Sequence, residues 1–231
     1  MIGPMLSATM AVTIPRLALL MGQKRVDEYK CLFEKLLQSM IVIVLPAVVG
    51  LIMTSKNIII IIAGEGYIRS TASLRILSLA LFFGTINTIF VECVLIPAKR
   101  ERATLITAII AAVVNLSLNF VLIPLYSEKG TAMTTVIAEC LSMIINFYFS
   151  KDIIGRIIFK TTFWKNNLGV VMGCIAVLCT CLVVKMIIYK NIVQFIMSVV
   201  CSCVIYVVVL YLFKNRLVVN FINNFFYRIK R

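Results

Sequence analysis

The chain has 231 residues, 62% of them apolar, with a mean hydropathy of +1.06 and a formal charge of +14. Soluble domains hold about 45–50% apolar residues, so this composition excludes an ordinary water-soluble enzyme or nucleic-acid-binding module despite the basic charge. What it predicts is an all-α, polytopic transmembrane bundle.

In chain order, residues 1–14 (MIGPMLSATMAVTI) are apolar but run into Pro15 and Arg16. That is about 21 Å of helix against a hydrocarbon core of about 30 Å. The expectation is a partial first helix, the chain starting in its middle. A signal peptide fits poorly, because no basic residue precedes the run and no small-residue cleavage site follows. Residues 37–55 form the first full span. Pro46 inside it frees a carbonyl and permits a kink. The run KNIIIIIAGEGYIRS (56–70) is too short to cross and reads as interfacial or partly re-entrant, ending at the Gly64/Gly66 turn. Spans at 75–97, 103–124 and 131–150 come next, with Pro97 and Pro124 closing the first two. Residues 151–165 set Ile153, Ile154, Ile157 and Ile158 opposite Lys151, Arg156 and Lys160, with Trp164 at the interface. Spans 167–187 and 191–213 lack central charge and read as a structural hairpin, in which Gly169-x-x-x-Gly173 allows close packing. In the tail, 214–231, Val218, Phe221, Ile222, Phe225, Phe226 and Ile229 share one helical face, as in a helix lying on a membrane surface. The count is six full spans plus a partial one.

The positive charge follows topology. Alternate loops at 15–36, 98–102, 151–166 and 214–231 hold 5, 3, 4 and 5 Lys or Arg, and six lie elsewhere. This asymmetry puts those loops and the C-terminus in the cytoplasm. The basic tail then meets anionic lipid rather than nucleic acid.

Two carboxylates, Glu92 and Glu139, lie inside apolar spans. A charge at membrane depth costs roughly 2.5–3.5 kcal/mol even on insertion scales, so it normally faces a bundle interior or a wet cavity. Around them run polar stripes. Thr131, Thr135, Glu139, Ser142, Asn146 and Ser150 recur every three or four residues, as do Thr85, Thr88 and Glu92, with Lys99 beyond. Thr104, Ala108, Ala111, Asn115 and Asn119 make a small, polar face between them. Three such helices could line one hydrophilic cavity. The same amides and hydroxyls could equally be interhelical bonds, and Glu92 could pair with Lys99. The eight cysteines suggest packing, not a disulfide framework or metal site: the C-x-C pairs 179/181 and 201/203 sit about 200° apart on a helix, and no histidine is present. Without histidine, an intramembrane aspartate or a phosphate-binding glycine loop, catalysis is not expected, nor is a cofactor.

Several segments resemble a known family. IPRLALLMGQKRVDEYKCLFEK (14–35) has a proline-arginine helix exit followed by a polar helix. LPAVVGLIMTSKNIIIIIAGEGY (45–67) comes after it. LIPAKRERATLITAIIAAVVNLSLNFVLIPLYSEKGTAMTTVIAE (95–139) combines a basic turn, an N-x-x-x-N helix, an Ile-Pro exit and a Gly-led helix ending in Ala-Glu. These resemble the second lobe of O-antigen and capsule flippases of the multidrug/oligosaccharidyl-lipid/polysaccharide exporter superfamily. The resemblance implies translocation of polyprenyl-pyrophosphate-linked oligosaccharide through a cationic cavity between two lobes. It implies Arg16, Lys99 and Arg100 as cytoplasmic-end candidates for the pyrophosphate, where guanidinium forks suit phosphate oxygens, and Arg75 as the outer-end one. Glu92, Glu139, Asn115, Asn119 and Asn146 are the other cavity candidates. On this reading 1–150 is part of the C-terminal lobe, 151–213 an extra transmembrane pair and 214–231 the cytoplasmic tail. The family has 12–14 spans, so the chain is expected to be a fragment, inactive alone, with a separate chain a possible source of the first lobe. A drug/cation antiporter of the same superfamily and a non-transporting scaffold are the alternatives.

Overall fold

In a computed structural model, which describes residues 2–158 and 161–213, the chain is all-helical. Among those residues there are seven α-helices: α1 (Ile2–Gly22), α2 (Val26–Ile62), α3 (Ser70–Phe90), α4 (Glu101–Tyr126), α5 (Glu128–Ile158), α6 (Thr161–Ile187) and α7 (Asn191–Leu212). Six segments, within α2 to α7, are long and apolar enough to cross a membrane. They divide into two compact units, residues 1–40 with 72–160 and residues 41–71 with 161–231.

Several predicted boundaries are corrected. Pro15 does not end α1, which runs on through Arg16 to Gly22. Proline's fixed φ is helical, and here it costs one bond on an exposed face, since Ala11, Pro15 and Arg16 are all exposed. The run at 56–62 is not a separate interfacial segment. It is the last part of α2, a 37-residue helix of about 55 Å. The helix stops where Gly64 takes φ 86°, its N–H reaching the Ile59 and Ile60 carbonyls at 3.1 and 3.2 Å. Only glycine adopts this conformation at little cost. Pro124 lies inside α4, and the helix ends at Ser127, at φ 51°. The proposed interfacial segment 151–165 is instead shared between the end of α5 and the start of α6. The amphipathic tail lies outside the described residues.

In the first unit, α4 and α5 form the principal pair. Their hairpin depends on Gly130, because a Cβ there would lie 2.2 Å from the Leu122 carbonyl oxygen. Tyr29 and Phe33 of α2, stacked at 6.2 Å, are both buried. Phe90 of α3 meets Phe147 of α5 at 5.8 Å.

In the second unit, α6 and α7 pack through Val170, Cys174, Val177 and Cys181 against Tyr206 and Leu210, with Ile41, Val42, Leu45, Val49 and Met53 of α2 against the cluster. The Gly169/Gly173 pair has specific occupants. An added Cβ would stand 3.0 Å from Phe213 at the first and 2.6 Å from the Tyr206 ring at the second. The C-x-C pairs divide between faces: Cys181 is buried within 3.4 Å of the Ser202 hydroxyl, while Cys179 and Cys203 are exposed. Asn57 of α2 donates to the Asn191 carbonyl at 3.0 Å and to Gln194 at 2.6 Å, fixing the start of α7.

Candidate functional site

The polar residues of the first unit gather along α5. Its buried residues include an i+4 series: Thr134, Ala138, Ser142, Asn146, Ser150 and Ile154. Residues four apart share a helix face, so the series makes one seam.

Asn146 is the seam's central junction. It is 2% exposed; its amide donates to Asn87 Oδ1 of α3 at 2.7 Å, and its oxygen accepts from Thr107 Oγ1 of α4 at 2.9 Å. Three helices are tied through one side chain. Toward the α4–α5 turn, Thr134 donates to Asn119 Oδ1 at 2.7 Å, and Asn119 donates to Asn115 Oδ1 at 2.8 Å. Asn115, Asn119 and Asn146 thus spend hydrogen-bonding capacity within this network. Thr104, by contrast, holds a buried hydroxyl without a partner among the described residues.

At the other end of α5, Arg100 grips Asp152 with two parallel bonds, 2.8 and 2.5 Å, and also donates to the Phe149 carbonyl at 2.6 Å. The hydrogen bonds that Arg100 donates to the Asp152 carboxylate raise the guanidinium pKa further, so its charge is permanent. The pair is half exposed, so its worth is that of a surface ion pair, at most about 1 kcal/mol. Its geometric effect is to hold the turn before α4 against the last turns of α5. Asp152 also borders a cavity of about 390 Å³ with Met21, Val26, Tyr29, Lys30 and Ile153.

The two intramembrane carboxylates behave differently from the amides. Glu139 is half-buried on α5, one residue off the seam, with its Oε2 3.2 Å from where a Gly84 Cβ would stand on α3. Gly84 therefore leaves the space the carboxylate occupies. Glu139 has no hydrogen bond or ion pair among the described residues. Glu92 lies in a π-helical turn, Val91–Leu95, that continues α3. The Glu92–Lys99 pairing, one of the alternatives the sequence left open, is not found among the described residues. A π turn adds a residue per loop and rotates the residues beyond it, and Lys99 lies past the turn at φ 58°, exposed. Thr85 and Thr88 bond to the Leu81 and Gly84 carbonyls of their own helix. Arg16 is exposed on α1, and Arg75 is exposed near the start of α3.

The sequence reading missed Asn87, Thr107, Thr134 and Asp152 as partners. Asn87 carried a signal, being the one amide in its apolar span. Thr134 carried another, heading the unbroken i+4 series.

Comparison with known proteins places this geometry. A family model described as "Lipid II flippase MurJ" matches residues 2–203. A solved structure titled "Lipid II flippase MurJ, inward closed conformation" superposes with a TM-score of 0.71 at 18% identity, over 90% of this chain and 43% of that one. The chain thus spans less than half of the structure it matches, and at this identity the likeness establishes the fold. No curated protein matches significantly. The matched family is the lipid II branch, not the O-antigen and capsule branch that the sequence segments resemble, although both lie in one exporter superfamily. The chain belongs to the lipid II flippase MurJ family of the multidrug/oligosaccharidyl-lipid/polysaccharide exporter superfamily.

Proposed function

We propose that this chain supplies the second lobe of a flippase that carries a polyprenyl-pyrophosphate-linked oligosaccharide from the cytoplasmic to the outer leaflet of a bacterial cell membrane. The observation that carries this reading is the family match over residues 2–203. It favours lipid II as substrate over O-antigen or capsule units, and a transporter over an enzyme. The 43% coverage of the matched structure supports a first lobe contributed by residues outside this chain, in a longer form or a separate polypeptide. On this reading 1–150 belong to the second lobe and 151–213 to an added pair.

Within that frame Arg16 and Lys99, both exposed cations, are the pyrophosphate candidates at the cytoplasmic end, and Arg75 is the outer one. Arg100 could join them only by exchanging Asp152 for phosphate oxygens. Asn115, Asn119 and Asn146 shape the wall. Glu92 and Glu139 remain available to a cavity cation. Glu139 gives specific support to cation coupling: it is a half-buried carboxylate without a protein partner among the described residues.

The experiment is complementation of a bacterial strain depleted of its lipid II flippase. Residues 1–231 alone should fail, and the same residues with a family first lobe, fused or co-expressed, should restore growth and outer-leaflet lipid II. Rescue of O-antigen export without rescue of lipid II flipping would reassign the substrate. Rescue by 1–231 alone would overturn the need for a second lobe.

A further inference from the structure

Two prolines in this chain leave the same gap, and the same kind of side chain fills it. Proline has no N–H, so the carbonyl four residues earlier loses its helical donor. For Pro97 that carbonyl belongs to Cys93. The helix there widens into the π turn, in which the Ile96 N–H reaches back five residues to the Val91 carbonyl at 3.0 Å. The Tyr29 hydroxyl, from α2, donates to the Cys93 carbonyl at 2.8 Å. For Pro46 the orphan carbonyl belongs to Val42. The Tyr206 hydroxyl, from α7, donates to it at 2.7 Å.

Both tyrosines are buried, at 2% and 8% exposure. The second is also built for: Gly173 leaves the space its ring occupies. Pro15 and Pro124, both inside helices, are exposed and follow exposed residues, Ala11 and Phe120. The tyrosine caps thus occur at the two prolines that are partly buried.

We infer that Tyr29 and Tyr206 are hinge caps. Each satisfies a proline-freed carbonyl in one helix geometry and must let go for that turn to change its bend. An unsatisfied carbonyl at membrane depth is costly, so the hydroxyl favours one bend over others. In α3 this makes Tyr29 a positioning residue. The capped π turn sets the direction in which the chain leaves the helix, and with it the placement of Lys99 and the Arg100–Asp152 grip. π turns recur at functional sites for this kind of local re-aiming. Neither the cap nor its test involves the substrate.

The test is a double-mutant cycle read at a native thiol. Cys93, whose carbonyl takes the cap, is itself fully buried. Its alkylation by N-ethylmaleimide in detergent-solubilised full chain, resolved by peptide mass spectrometry, reports opening of the turn. Tyr29→Phe removes one hydroxyl and should speed Cys93 alkylation about three- to tenfold, the range of one interhelical hydrogen bond in a membrane. Pro97→Ala restores the backbone N–H. In that background Tyr29→Phe should change the rate by less than about twofold. Equal effects in both backgrounds would make Tyr29 a packing residue and overturn the cap, as would an unchanged rate in the single variant. If the Pro97 variants do not insert, Tyr206→Phe with Pro46→Ala, read at buried Cys174, decides by the same comparison.

Discussion

Asn146→Ala tests the seam most directly. The substitution removes two interhelical bonds, to Asn87 at 2.7 Å and from Thr107 at 2.9 Å. Such bonds are worth about 0.6 kcal/mol each inside a membrane protein. It also empties roughly 30 Å³ at a site with 2% exposure, adding about 0.7 kcal/mol of cavity cost. Thr107 loses little, since its hydroxyl also bonds the Ala103 carbonyl at 2.9 Å. The expected loss is about 2 kcal/mol. Asn87→Ala alone should cost less, and the double variant should fall short of additivity by about 0.6 kcal/mol, the bond the two residues share. Reversible unfolding in mixed micelles, monitored by the single tryptophan's fluorescence, gives all three numbers. A loss below about 0.5 kcal/mol for Asn146→Ala, or strict additivity in the double variant, would refute the hub.

The same geometry sets three further outcomes. Glu139→Gln should leave insertion and unfolding unchanged, since no bond to a described residue is lost, while lowering lipid II flipping in the two-lobe protein; unchanged flipping per inserted molecule would remove Glu139 from the functional residues. Gly130→Ala should destabilise by about 1–3 kcal/mol, because the added methyl meets a backbone carbonyl that cannot step aside; a neutral thermal-shift result would count against the hairpin geometry. For orientation, an impermeant maleimide applied to intact cells should spare a cysteine placed at Arg100 and label one at Glu128, and the reverse pattern would invert the topology.

The spans were legible in the sequence because a membrane helix announces itself by length and hydrophobicity alone. Their ends were not. Pro15 and Pro124 read as stops because proline usually ends a helix, yet its fixed φ is helical and both helices continue past it. Ile58–Ile62 read as too short to cross, because the sequence does not show that the same helix already runs from Val26. Within the site, Asn146, Asn115 and Asn119 stood out as amides in apolar surroundings. Their partners did not, since which residue of a neighbouring helix faces them depends on how packing rotates that helix. Thr107, not Thr104, meets Asn146 for this reason. The π turn at Val91–Leu95 shifts the helical register, so periodicity alone could not decide whether Glu92 meets Lys99.

The stripe read on α5 as one line is two. Thr134, Ala138, Ser142, Asn146 and Ser150 form the buried line, on which Thr134 and Asn146 bond to neighbouring helices. Thr131, Thr135 and Glu139 form an adjacent line offset by about 100°, and it ends in the carboxylate that has no partner among the described residues. The bonded line fixes α3, α4 and α5 to one another, which suits a body that moves as a unit. On the second line the Thr135 hydroxyl donates to the Thr131 carbonyl at 2.9 Å, which leaves Glu139 as the group without a partner among the described residues, and leftover polarity at membrane depth needs a use. Substitutions along the buried line should therefore change stability, and transport only in proportion to folded protein. Substitutions at Thr135 and Glu139 should change transport at constant stability. Measuring both quantities for each variant separates the lines. If transport tracked stability equally on both, the second line would be structural as well, and the polar wall would contain no group set aside for substrate or ion.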